Sequence, residues 1–81
     1  MTMDLDAIGK NLAHVDSTAG LRAFLADLHA AWDRDPETAH GLEDHIKSHV
    51  LKLVADGHPD AQEIAREVLV MNNWDVERWY A

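Results

Sequence analysis

The sequence predicts an all-α protein, a compact bundle of four short helices followed by one more helical turn at the C-terminus. Three observations predict it. Apolar residues recur at helical spacing in four separate stretches. Only brief groups of capping and turn residues stand between them: Asp16-Ser17-Thr18, Asp35-Pro36-Glu37 and Gly57-His58-Pro59. No stretch without helical periodicity is longer than a few residues, so residues 1–81 are expected to form a single domain.

The first helix is expected over residues 4–15, where Leu5, Ile8, Leu12 and Val15 make one face. Gly9 weakens it by about 1 kcal/mol relative to alanine. Asp4 and Asp6 suit the positive end of its dipole. Ser17 or Thr18 then offers a side-chain oxygen to the first amides of a second helix over residues 19–34. Leu21, Phe24, Leu25, Leu28, Ala31 and Trp32 give it a wide apolar face, with Phe24 and Leu28 expected at the centre of the core.

The third helix carries the clearest stripe: Leu42, Ile46, Val50, Leu53 and Val54. Asp35 and Pro36 form a start signal, a cap followed by a residue suited to the first helical position. Gly41 offers a later start, so the helix begins either at Pro36 or near Gly41. It ends at Asp56, where Gly57 can turn left-handed. The fourth helix is expected over residues 59–71, with Ala61, Ile64, Ala65, Val68, Leu69 and Met71 on its inner face and Val70 projecting away. Asn72-Asn73 breaks the pattern. Asp75 could cap a last turn bearing Val76, Trp79 and Tyr80.

Composition narrows the function classes. A chain of 81 residues buries a small core, and with no cysteine no disulfide or thiolate can reinforce it. Fifteen acids against seven bases give a net charge of -8, which repels nucleic acid and anionic membranes. The acidic start lacks the basic region of a secretory leader, and no apolar run approaches a membrane span, so a soluble cytoplasmic protein is expected. No glycine-rich phosphate loop or nucleophile elbow is present. His29, His58 and the Glu43-Asp44 pair could serve acid–base chemistry, but such residues occur in any helical protein. No catalytic residue, enzyme activity or cofactor is therefore expected.

Two constellations remain. His45 and His49 are spaced to reach one metal ion from a helix, with His40, Glu43 and Asp44 nearby. Their segment lacks the glutamate of a zinc-protease motif, and two well-placed ligands do not make the four of a structural site. A metal is therefore not favoured. The other constellation is the aromatic end, Trp74, Arg78, Trp79 and Tyr80, which with Val70 forms the expected partner-binding set. Tryptophan and tyrosine anchor interfaces because each removes much area from water at low entropic cost. They could equally fold back to seal the open end of the bundle.

The C-terminal third also carries Ala55-Asp56-Gly57-His58-Pro59-Asp60-Ala61, then Ala65-Arg66, then Asp75, Arg78 and Trp79 before a final alanine. This combination resembles small uncharacterised proteins of bacteriophages and mobile elements. Those proteins often have phenylalanine where Val76 stands here. The resemblance implies an accessory protein that binds and modulates a host factor, and it brings no activity, cofactor or catalytic residues.

The leading expectation is thus a non-enzymatic interaction or regulatory protein whose partner is a host protein or a second copy, with a homodimer left open. The alternative is an acidic DNA-mimic inhibitor of a nucleic-acid-binding protein. It requires Asp27, Asp33, Asp35, Glu37, Glu43 and Asp44 to form one continuous face. A third reading is a metal-binding helical module built on His45 and His49.

Overall fold

A computed structural model describes residues 4–77. Its elements are α1 (Leu5–Leu12), α2 (Thr18–Ala31), the short 3-10 helix η1 (Trp32–Arg34), α3 (Pro36–Ala55), α4 (Ala61–Val68) and a second 3-10 helix, η2 (Leu69–Asn73). The all-α bundle of four helices expected from the sequence is the observed fold.

Side chains close three of the four helix starts. Asp4 Oδ1 accepts from the Ala7 amide at 2.8 Å, and Ser17 Oγ from the Gly20 amide at 2.9 Å. Asp35 accepts from the Thr38 amide at 3.2 Å and from its hydroxyl at 2.7 Å. These bonds, the hydroxyl's first, hold the Asp35 carboxyl below the ordinary carboxylate range. Asp35 thus starts α3 at Pro36, and Gly41 lies inside the helix. The end of α3 is a Schellman motif. The His58 amide donates to the Leu53 carbonyl at 3.0 Å, and that of Gly57, at φ 75°, to the Val54 carbonyl at 3.1 Å.

The α4 start is different. Asp60 makes no side-chain cap, and its own amide donates to His58 Nδ1 at 3.0 Å. The helix therefore begins at Ala61 rather than Pro59 and gives way to η2 at Leu69. Asn72 and Asn73 lie within η2 instead of breaking the chain before a further turn. Of the turn expected after Asp75, residues 74–77 have no regular structure, and Arg78, Trp79 and Tyr80 lie outside the described residues.

The helices form a ring in which α1 packs on α2 and α3, and α4 packs on the same two from the other side. Consecutive pairs α1–α2 and α3–α4 are neighbours, while α2 and α3 lie across the core from each other. Leu21, Leu28, Ala31, Trp32, Ala39, Ile46, Ile64 and Met71 are fully buried at its centre, and Phe24 is buried beside them. Trp32 marks the corner between α2 and α3. Its indole N–H donates to the Glu77 carbonyl at 2.6 Å, which draws residues 74–77 against the core.

Candidate functional site

The two long edges of α3 position everything outside the core. Leu42, His45, His49 and Leu53 run along one edge, spaced three or four residues apart. This edge faces α1. A Cβ at Gly9 would stand 3.3 Å from Leu42 Cδ2, and His49 Nε2 lies 2.6 Å from the Val15 carbonyl oxygen. A carbonyl only accepts, so Nε2 carries the proton and donates. Lys47, Leu51 and Val54 run along the other edge. Lys47 Nζ donates to Asn72 Oδ1 at 2.9 Å, which sets this edge beside α4 and η2.

The α4 side can be oriented in the same way. Ala61, Ile64 and Val68 face the core. Glu67 reaches across to Arg22 of α2 at 2.7 Å. That hydrogen bond raises the Arg22 guanidinium above its ordinary value and holds the Glu67 carboxyl below its own. Leu69, two residues on, is rotated by roughly 200° from Glu67 and so lies toward α3.

Leu51, Val54 and Leu69 therefore lie on the flank shared by α3 and α4, while Val70, a further 100° round the helix from Leu69, lies back toward α2. They are 69 %, 47 %, 54 % and 46 % exposed, and they are the large apolar side chains left open among the described residues. Isolated exposed apolar residues are ordinary, but three on one flank make it a candidate surface. The segment from His45 to Ala55 contains no acid. Lys47 and the exposed Arg66 border the flank, whereas Glu67 is turned to α2.

The residues singled out in the sequence fall in different places. Val70 is exposed, as expected. Trp74 is half-buried. Its ring stacks on His29 at 4.2 Å between centroids with 7° between planes, and it meets Trp32 edge-on at 6.0 Å. Trp74 thus offers only part of its area to a partner. Leu69 and Val54, expected on inner faces, are exposed. α4 ends at Val68, so the helical stripe does not continue through Leu69, and eight residues of α4 cannot cover the twenty of α3. Leu51 escaped notice because it lies off the stripe, and an apolar residue off the stripe is the signal that could have found it.

The metal and acidic readings meet this geometry as follows. His49 Nε2 is engaged by Val15, and among the described residues no three His, Asp or Glu side chains converge to hold a metal ion. Glu43 is turned inward at 2 % exposure, with Lys47 Nζ at 3.6 Å and His40 Nε2 at 3.9 Å. It therefore does not share a surface with Asp33, Asp35, Glu37 and Asp44, which are exposed. Asp56, Asp60 and Glu63 are exposed at the far end of α3, about 30 Å of helix away from Asp35.

Two depressions on the surface of the described residues bear on function. The larger, about 460 Å³, is lined by Pro59, Asp60, Gln62, Glu63, Arg66 and Glu67. All belong to the α4 helix or the residues leading into it, so no second element walls it in. The smaller, about 300 Å³, is a cleft between two elements: Leu12 and Ala13 from the end of α1, and His45, Ser48, His49 and Lys52 from α3. No helix among the described residues is long and apolar enough to cross a membrane. No family model, curated protein or solved structure matches the chain.

Proposed function

We propose that this is a non-enzymatic, cytoplasmic interaction protein that docks its α3–α4 flank on a partner protein. The observation that carries the reading is the exposure of Leu51, Val54 and Leu69 on the flank shared by α3 and α4. Covering such side chains is the main favourable term in protein association. Charge supports the choice of partner. On a chain of net charge -8 this flank carries no acid from His45 to Ala55, and it is bordered by Arg66 and by Lys47, whose ammonium has Glu43 at 3.6 Å. It suits an amphipathic helix whose apolar stripe is edged by carboxylates. Two copies set flank to flank would bring like charges together, which favours a different protein over a homodimer. The resemblance to bacteriophage and mobile-element proteins supports a host factor as that partner.

The test is capture from a host lysate at low and high salt, with the full chain and a Leu51→Ser/Leu69→Ser variant. A partner retained at high salt and lost with the variant supports the reading, since burial of apolar area is not screened. A basic partner lost at high salt and still bound by the variant overturns it in favour of the acidic mimic. If nothing is retained, sedimentation of the chain alone decides whether the flank joins two copies.

A further inference from the structure

The cleft between α1 and α3 lies on the edge of α3 opposite the docking flank and stands independently of it. Its lining is unusual for this chain. Fifteen of 81 residues are acids, yet none lines the cleft. Instead α3 presents His45, Ser48, His49 and Lys52, which fall within about 100° of one another round the helix and so share one side. Among the described residues Lys52 stands in no ion pair, whereas Lys10, Arg22 and Lys47 each have an acid within 4 Å. The opposite wall, Leu12 and Ala13, is apolar and excludes water from one side of any occupant.

The hydrogen-bonding chemistry runs in one direction. Lysine only donates, and serine and a neutral histidine can each donate one bond. The His49 ring is held in place by its donation to the Val15 carbonyl. What fits an unpaired ammonium, a hydroxyl and an imidazole without a carboxylate is an acceptor-rich anion. We infer that the α1–α3 cleft binds a small oxyanion, a phosphate or a carboxylate, with Lys52 as its charge partner and His45 and Ser48 as donors. The same pair of histidines that suggested a metal thus serves a ligand of opposite charge. The cleft is shallow, so affinity in the millimolar range is expected.

The experiment is an amide NMR titration of the full chain at constant ionic strength, with inorganic phosphate in one arm and acetate in the other. Saturable shifts centred on Leu12, Ala13, His45, Ser48 and Lys52 are expected in at least one arm, and the arm that saturates names the anion. Lys52→Ala should weaken that binding about fivefold or more, as loss of one close charge requires. Lys10→Ala, which removes a paired lysine elsewhere, should leave it unchanged. Lys52 is exposed and both variants should fold, which the same spectra report. Shifts that fail to saturate in both arms overturn the site. So does binding that Lys52→Ala leaves untouched.

Discussion

The two edges of α3 are made of similar material and end up with opposite surfaces. Toward α1, the edge is tied down by a polar bond, His49 to the Val15 carbonyl, and opens into a cleft without acids. Toward α4, the edge carries Leu51 and Val54 and stays open beside Leu69. Both covering helices are eight residues long against the twenty of α3, so each leaves a margin uncovered. The core alone does not decide what that margin is for. The residues just off the buried stripe do, and on this protein they are polar on one side and apolar on the other.

Both edges depend on the residue between them. Ile46 is fully buried at the centre of α3, and Ile46→Ala should cost about 2–5 kcal/mol by cavity formation. Urea unfolding should show that loss. A cost below 1 kcal/mol would mean that the two edges are not held by a common core. Next in size is His49→Ala, which removes the tie to α1 and should cost about 1 kcal/mol. If it costs nothing, the α1 edge is held by apolar contact alone, and the contrast between the edges narrows.

Gly9→Ala probes how closely α1 approaches. Alanine raises helix propensity by about 1 kcal/mol, but its Cβ would press on Leu42. Leu42 is only half-buried and is expected to yield the few tenths of an ångström needed, so a net gain of less than about 1 kcal/mol is expected. A loss would show α1 and α3 to be locked together. On the other edge, Leu51→Ser should change monomer stability by no more than about 0.5 kcal/mol, because the side chain is mostly in water. A larger destabilisation would show that Leu51 supports the fold rather than a partner.

The smallest effect expected is electrostatic. The Glu67 carboxyl is held below its ordinary value by Arg22, and the Asp35 carboxyl by Thr38. The stability each contributes is therefore present above the unfolded carboxylate pKa. It is lost as the pH falls through the lowered folded value. Glu67→Gln should flatten the acid limb of a stability-against-pH curve slightly, and an unchanged limb would remove Glu67 from the account. Glu67 ties α4 to α2, not to α3, so this variant should leave both α3 edges as they are.

Much of this architecture was legible in the residues. Ser17 and Asp35 announce their helices because a short polar side chain before an apolar run has one good use there. Gly57 announces the end of α3 because a left-handed residue is needed and glycine supplies it. The start of α4 was less legible: the sequence places it at Pro59, but the helix begins at Ala61, with Asp60 making no side-chain cap and its amide donating to His58 Nδ1. The inner stripe of α3 was legible down to Leu53, but the exposure of Val54 was not. Periodicity marks which face turns inward, and it does not state how far a neighbour of eight residues reaches across that face. The tilt of Glu43 inward was hidden for a related reason. It sits in a run of polar residues, and the nearby Lys47 and His40 help to make its burial tolerable.

The ring order of the helices has a kinetic consequence. The chain is two helical hairpins, α1–α2 and α3–α4, joined at the corner that Trp32 fills. Each hairpin closes through contacts near in sequence, where little loop entropy opposes it. Only the docking of one hairpin on the other, α1 on α3 and α2 on α4, needs distant contacts. Collapse of the protein should therefore be fast, on the order of milliseconds or less. Its barrier should respond to substitutions at the corner far more than to any change along the open flank.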